Sequence, residues 1–127
     1  MEYFAKGKTN SENYLVLDNG ASICGCYNPK FFPASLEDTE TPVAVKGISP
    51  EVEVSKQGKL FGEEVNALYD PSFLANILSW SYLVSKNIII DWYQRENKFV
   101  VHFPAYGELT FQQYKGLYVR DCTHAPI

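Results

Sequence analysis

The segment NYLVLDNGASICG, residues 13–25, decides how this sequence is interpreted. Its strand-forming run YLVL, at positions 14–17, shows no alternation of apolar and polar side chains, which predicts a strand buried on both faces. The run ends in Asp18, and the chain then turns through small residues at 19–21. Because a carboxylate at the end of a buried strand is costly to desolvate, Asp18 needs a reason for its position.

Composition limits the classes of protein to which the chain can belong. Its 127 residues fit one domain, and 46% apolar residues are typical of a globular protein. The three cysteines are an odd number, which argues against a disulfide framework and favours a reducing compartment. The net charge is −4, and the 11 Lys and Arg residues are scattered. We therefore expect no nucleic-acid partner, since binding through charge requires clustered cations.

The sequence also leads us to expect neither a membrane-spanning segment nor a signal peptide. No apolar run approaches the roughly 20 residues that cross a bilayer, so we expect no membrane partner. The first ten residues, MEYFAKGKTN, lack the apolar core of a signal peptide, which predicts a cytosolic location.

The rest of the chain predicts an all-β protein with one short helix in its C-terminal half. Segment 73–85 is compatible with a helix or with a strand followed by a helix, because apolar residues have helical spacing but serines interrupt them. Strand patterns separated by turn residues predict a small barrel or sandwich. The expected strands are a hairpin at 42–54, one or two strands at 59–69, a hairpin at 88–94 and 98–103, and a last pair at 107–114 and 116–121.

A strand that ends in Asp18 and is followed by a turn of small residues is well suited to one catalytic mechanism, in which two carboxylates act together. If two such turns meet across a two-fold axis, their carboxylates lie about 3 Å apart and share one proton. One carboxylate then activates a water molecule while the other donates a proton to a peptide carbonyl. Gly20 and Ala21 would allow the close approach, and one Asp per chain predicts a homodimer with a single shared site.

Three segments in this order resemble the retroviral-type aspartic proteases, in particular those of copia-type retrotransposon polyproteins. VLDNGAS at 16–22 is similar to the catalytic loop of that family, and PVAVKGISPEVEV at 42–54 is similar to its flap. LYDPSFLANILSWSYL at 68–83 is similar to its second signature, and Gly-Leu-Tyr at 116–118 to a phrase further along. The resemblance covers about residues 13–119.

The resemblance implies a small closed β-barrel of retropepsin type, with a flap hairpin and an extra C-terminal hairpin. It divides the chain into a loose segment at 1–12, a protease domain at 13–119 and a tail at 120–127. It also implies an aspartic endopeptidase without cofactor or metal, which processes the polyprotein of its own element in the cytosol or within virus-like particles.

The same resemblance assigns roles to individual residues. Asp18 corresponds to the catalytic aspartate. The loop and its support would be Asn19, Gly20, Ala21, Ile77, Leu78 and Ser79. The flap that covers an extended peptide substrate would be Val45, Lys46, Gly47, Ile48, Ser49 and Pro50.

The sequence departs from the family pattern at several of these positions. Asn19 replaces the hydroxyl residue that joins the two loops, and Ser79 replaces the usual glycine. Ser22 and Trp80 stand where many members carry an Asp and an Arg that pair with each other. Because both partners of that pair are gone, no lone buried charge is left. The dimer must then be held by other contacts, such as the C-terminal hairpins.

Other interpretations of these residues stay open. Asp-Asn-Gly is a favourable turn sequence, so Asp18 alone is compatible with a structural turn, or with a binding or dimerisation module that has lost proteolysis. The two pairs Cys24 with Cys26 and Cys122 with His124 supply four zinc-type ligands, but their spacing is unusual and we expect no metal. His102 is expected to be a strand residue, and Asp91 lacks the small-residue turn of a catalytic aspartate.

Overall fold

A computed structural model describes residues 11–46, 51–61 and 65–123, which form one mixed β-sheet of ten strands. A six-residue helix, α1 (Trp80–Ser85), and two 3-10 turns at Ser11–Asn13 and Pro29–Phe31 complete the regular structure of these ranges. The strands are β1 Tyr14–Asp18, β2 Gly25–Cys26, β3 Glu37–Val45, β4 Val52–Leu60, β5 Val65–Tyr69, β6 Asn76–Ser79, β7 Ile89–Tyr93, β8 Lys98–Phe103, β9 Gly107–Tyr114 and β10 Leu117–Asp121.

The order of the strands places β1 near the middle of the sheet. The order is β3-β4-β5-β2-β6-β1-β10-β9-β8-β7, so β6 lies between the consecutive strands β1 and β2. β1 runs parallel to β6 on one side and antiparallel to β10 on the other. Because β1 is enclosed by two strands, the loop that follows Asp18 crosses over the end of β6.

The predicted all-β class is confirmed, whereas the described strands form an open sheet and not a closed barrel. β3 and β7 are the two edge strands of the sheet, and they do not pair with each other within these ranges. Closure of a barrel depends on strand tilt and stagger across the whole sheet. Neither quantity can be obtained from the local pattern of apolar residues.

The core lies on both faces of β1, as the absence of alternation predicted. Leu15 and Leu17 pack into the main apolar cluster, whose fully buried members include Phe31, Phe61 and Phe111. Val16 points to the opposite face and packs in a smaller cluster, with Ala75, Ile77 and Val119. A strand that contributes to two clusters has no polar face to present to solvent.

Several element bounds differ from the prediction. β3 begins at Glu37, five residues before the start expected for the hairpin at 42–54, and this polar, mostly exposed extension pairs with β4. Segment 73–85 is a strand followed by a helix, the second of the two expected alternatives. β10 ends at Asp121, two residues beyond the domain boundary expected at 119.

The other predicted strands are also present in the structure. β4 ends at Leu60 and β5 begins at Val65, so segment 59–69 contributes to two strands. The hairpins β7–β8 and β9–β10 form where the turn residues predicted them. No helix in the described ranges has both the length and the apolar character needed to cross a membrane.

Candidate functional site

Asp18 is the last residue of β1 and lies half-buried where the backbone leaves the sheet. Its Oδ1 accepts a hydrogen bond of 2.7 Å from the backbone N–H of Gly20. The bond closes a local turn of the kind that Asp side chains favour, and it presents Asn19 and Gly20 to solvent. Turn formation therefore explains part of the position of Asp18.

Gly20 has no steric role inside the described part of the chain. A Cβ built on Gly20 meets one atom within 4 Å, the Asp18 Oδ1 at 3.4 Å, which is an ordinary contact. Its backbone is not among the left-handed positions, so conformation does not require glycine either. The exposed loop therefore has open space at its outer surface, where a larger side chain would fit.

β6 supports this loop from below. In the parallel register Val16 lies beside Ile77, Leu17 beside Leu78, and Asp18 beside Ser79. All three of the predicted support residues are buried, and Ser79 is fully inaccessible. The structure thus brings residues of the first and second signature segments together, although about 60 positions separate them.

Ser79 connects the loop to α1 through its hydroxyl group. Its Oγ donates to the carbonyl oxygen of Ala21 at 2.7 Å and accepts from the backbone N–H of Tyr82 at 3.1 Å. The second bond is the N-cap of α1. A glycine here would lose both bonds, so the serine at this position gives the loop an anchor.

We expect Ser79→Ala to lower the free energy of unfolding by about 2 kcal/mol, because a helix cap and a buried hydrogen bond are lost together. The matched control is Ser81→Ala. The Ser81 Oγ also donates to the Ala21 carbonyl oxygen, at 3.2 Å, but Ser81 is exposed. Urea denaturation of the two variants measures the difference. Equal losses in both variants would show that the buried position of Ser79 has no special role.

Asn76 is a fully buried polar residue at the start of β6, and it was not among the predicted site residues. Its Oδ1 accepts from the backbone N–H groups of Tyr27 at 3.0 Å and Asn28 at 3.3 Å. Its Nδ2 donates to the carbonyl oxygens of Glu12 at 3.1 Å and Tyr14 at 3.2 Å. One side chain therefore joins the segments before β1 and after β2.

A pocket of about 260 Å³ opens beside Asp18. Its wall is mainly apolar and aromatic, and Asp18 is the one charged residue among those that line it. The rings of Trp80 and Phe99 meet edge to face at 5.1 Å, and those of Phe99 and Tyr118 at 4.8 Å. These aromatic residues come from α1, β8 and β10, so sequence pattern alone did not group them with Asp18. The other lining residues that matter here are Leu17, Asn19 and Gly116.

The predicted flap falls only partly within the described residues. Val45 is the last residue of β3 and pairs with Val52 at the start of β4, and Lys46 is exposed. Gly47, Ile48, Ser49 and Pro50 lie outside the described residues. The structure therefore contains the two strands of the predicted hairpin, and the function of its tip stays a prediction.

The three cysteines are buried free thiols. Burial raises the pKa of Cys24 to about 11, although the backbone N–H of Ser79 partly opposes the shift. Burial likewise raises the pKa of Cys122 and places that of Cys26 well above its usual value. Residues 11–46, 51–61 and 65–123 contain no group of three or more potential ligands positioned to hold a metal ion. His124, the fourth residue of the two Cys and His pairs that the sequence analysis weighed and set aside as a zinc site, lies outside the described residues.

We expect Cys24 to react about 100-fold more slowly with iodoacetamide at pH 8 than an exposed cysteine, because its thiolate is the reactive form and its pKa is about 11 rather than 9. The native thiol keeps its proton up to a higher pH than the unfolded thiol. The free energy of unfolding should therefore fall as pH rises from about 9 to about 11. Mass spectrometry of the alkylated protein measures the rate, with the urea-unfolded chain as control. Rapid labelling under native conditions would contradict the burial.

His102 and Asp91 lie at the far end of the sheet from Asp18. The His102 Nε2 is 2.9 Å from Asp91 Oδ2, and its Nδ1 is 3.0 Å from Glu108 Oε2. β7, which carries Asp91, is an edge strand and is four strands from β1 in the order of the sheet. Asp91 and His102 are therefore partners of each other and belong to a separate cross-strand contact.

Comparison with known proteins adds no relative to this description. No protein-family model matches the chain, and no curated protein matches its sequence.

Proposed function

We propose that this chain is one subunit of a homodimeric aspartic endopeptidase of retropepsin type. The observation that carries the proposal is the Asp18 loop. Asp18 ends a buried strand, and its side chain lines a pocket. The loop that follows is held by the hydrogen bond from the Ser79 hydroxyl to the Ala21 carbonyl oxygen. Gly20 has no steric role inside the described part of the subunit, but a second loop approaching from outside would require its small size.

The proposed mechanism uses one Asp18 from each subunit. The two carboxylates meet at the two-fold axis and share a proton, because like charges about 3 Å apart cannot both ionise. The bond from the Gly20 N–H to Oδ1 orients the carboxylate, and the shared proton lies between the oxygens of the two Asp18 side chains that face each other. One Asp18 removes a proton from the water, which attacks the peptide carbon, and the other protonates the carbonyl oxygen. The C–N bond of the resulting intermediate then breaks, and the first Asp18 passes the proton it took from water to the leaving amine.

The substrate in this proposal is an extended peptide, bound as an added strand beneath the hairpin of β3 and β4. The residues at 47–50 would close over it and exclude bulk water. Because the resemblance is to proteases of copia-type retrotransposon polyproteins, the proposed substrate is the polyprotein of a retrotransposon of that type. In the proposed fold the hairpin approaches the Asp18 loop and the barrel closes around the site.

The test combines an activity assay with a measurement of mass. We expect the purified chain to sediment as a dimer and to cleave denatured casein at mildly acid pH, with inhibition by pepstatin. Cleavage should depend on protein concentration more steeply than first order in the range where the dimer dissociates. A chain that stays monomeric at high concentration and leaves casein intact would contradict the proposal.

A second candidate function is a dimerisation or peptide-binding module without proteolysis. Asn19 favours it, because a longer amide side chain stands at the exposed position where the family has a hydroxyl group. The Asn side chain has both a donor and an acceptor, so it can still join two loops. A stable dimer that neither cleaves casein nor gains stability from pepstatin would favour this candidate.

A further inference from the structure

The two edge strands of the sheet are protected to different degrees. β3 carries Pro42 and several carboxylates, and its register with β4 shifts between Asp38 and Val43. Charges, proline and irregular pairing are the features by which proteins prevent an edge strand from pairing with another chain. β7 pairs with β8 over five consecutive residues without a shift, and it contains no proline, glycine or lysine. Within the described ranges no strand pairs with the outer side of β7, so its free backbone groups are open to an added strand.

β7 also exposes large apolar side chains. Ile89 is 59% exposed, Trp92 45% and Tyr93 41%. Three of the five large hydrophobic residues exposed in the described part of the chain therefore lie on this one short strand. Because side chains alternate along a strand, Ile89 and Tyr93 point to one face of the sheet and Trp92 to the other. An added strand would cover apolar surface on both faces.

Asp91 is the central residue of β7 and points to the same face as Ile89 and Tyr93. Its side chain is 51% exposed, and its Oδ2 is 2.9 Å from the His102 Nε2, which leaves Oδ1 for an incoming donor. Glu108 lies on the other side of the same imidazole, with Oε2 at 3.0 Å from Nδ1. Two carboxylates thus share one histidine, and negative charge is in excess in either protonation state of the ring. This part of the edge therefore complements a cation on the added strand.

The same carboxylate discourages a second copy of this chain from pairing with the edge. If two β7 strands paired antiparallel with their apolar residues facing each other, the Asp91 side chains of the two copies would lie directly opposite. Like charges in that position destabilise a strand pair. A shift of the register by two residues separates the charges but leaves only three of the five residues of the strand opposite each other.

We propose that β7 is the docking strand for an extended segment of another protein, which carries an Arg or Lys opposite Asp91 and apolar residues two positions to either side. Main-chain hydrogen bonds would supply affinity, and the alternating side chains would supply selectivity. The pattern is symmetric about the cation, so it holds for a parallel and for an antiparallel segment. Lys98 fixes the register, because its Nζ lies 5.4 Å from the centre of the Tyr93 ring and would repel a cation at that end.

This docking site is distinct from the candidate active site. None of the residues of β7 line the pocket beside Asp18. The inference therefore does not rest on the proposed function, and each can fail without the other.

The probe is the peptide acetyl-Thr-Val-Thr-Arg-Thr-Val-Thr-amide, which places an arginine between two valines. One control peptide has Glu in place of Arg. A second keeps the Arg sequence but carries N-methyl groups on its backbone nitrogens, which removes the donors that an added strand needs. Calorimetric titration at low ionic strength measures binding to the full chain with the substitution Asp18→Asn, so that cleavage cannot interfere.

We expect the Arg peptide to bind about tenfold more tightly than the Glu peptide, because the exchange removes an attraction and adds a repulsion. The N-methylated peptide should show no binding. Hydrogen exchange locates the site, since the Arg peptide should slow the exchange of amides in β7 and leave those of β3 unchanged.

Charge reversal on the protein gives the matched comparison. Asp91→Lys should bind the Glu peptide more tightly than the Arg peptide, again by about tenfold. Glu40→Lys reverses an exposed carboxylate on the other edge strand, β3, and should keep the wild-type preference. Because both side chains are exposed, we expect both variants to fold, which thermal unfolding checks.

Three results would overturn the inference. The first is an equal dissociation constant for the Arg and Glu peptides, and the second is protection of β3 instead of β7. The third is protection of β7 that appears without peptide when the protein is concentrated, since the edge would then belong to a second copy. A chain that binds the Arg peptide at β7 but neither dimerises nor cleaves casein would support the inference and contradict the proposed function.

Discussion

Replacing Asp18 by Asn is expected to abolish casein cleavage, by at least about 10³-fold, while the dimer still forms. An amide can neither take up a proton from water nor share one with its partner, so the general acid and the general base are lost together. The fold should survive, because the Asn carbonyl oxygen can still accept the Gly20 N–H that Asp18 Oδ1 accepts at 2.7 Å. Activity should be measured with thermal unfolding and sedimentation on the same sample.

The matched control for this variant is Asp70→Asn. Asp70 is also half-buried and also closes its own turn, since its Oδ1 accepts from the backbone N–H of Ser72 at 2.9 Å and from the Ser72 hydroxyl at 2.6 Å. It does not line the pocket beside Asp18. We expect Asp70→Asn to retain wild-type cleavage. If Asp18→Asn also retained it, the residue would be a turn former and the proposed mechanism would be wrong.

Replacing Asn76 by Ala is expected to cost about 4 kcal/mol of the free energy of unfolding, the largest stability effect that we predict. The change removes four hydrogen bonds, so that two backbone N–H groups and two carbonyl oxygens lose a partner in a partly buried region. Such groups pay their desolvation cost without compensation. For a domain whose total stability is about 5–15 kcal/mol, this loss approaches the limit of folding.

Asn66→Ala provides the control for the loss of an Asn side chain from a strand. Asn66 lies on β5 and is exposed, so its removal should change the free energy of unfolding by less than about 0.5 kcal/mol. Urea denaturation compares the two variants. Hydrogen exchange adds a local readout, because the amides of Tyr27 and Asn28 should lose protection in Asn76→Ala. If Asn76→Ala lost no more stability than Asn66→Ala, water molecules would be replacing the hydrogen bonds of the Asn76 side-chain amide.

The variants Asp18→Asn and Asn76→Ala test function and folding separately at two nearby positions in the structure. Asn76 and Ser79 are the two ends of β6, and β6 pairs in parallel with the strand that carries Asp18. We expect a change at Asn76 to unfold the scaffold and a change at Asp18 to leave it intact.

Local sequence was sufficient to predict the features that depend on neighbouring residues. The uninterrupted run at 14–17 predicted a strand buried on both faces, because burial on one face would require alternation. The turn residues after Tyr93 and Tyr114 predicted the two C-terminal hairpins, whose pairing depends on short connections. Local pattern failed at β3, where a polar strand is determined by its pairing with β4.

Local sequence alone thus determined the buried strand that delivers Asp18, the turn that follows it and the all-β class. Only the tertiary structure decided that Ser79 lies under the loop, that Asn76 joins three segments, and that rings from α1, β8 and β10 surround a pocket beside Asp18. The physical reason is that periodicity shows which face of an element is apolar but does not specify the distant residue that covers it. Hydrogen bonds and packing between residues some 50–100 positions apart depend on the order of the strands, which no local pattern contains.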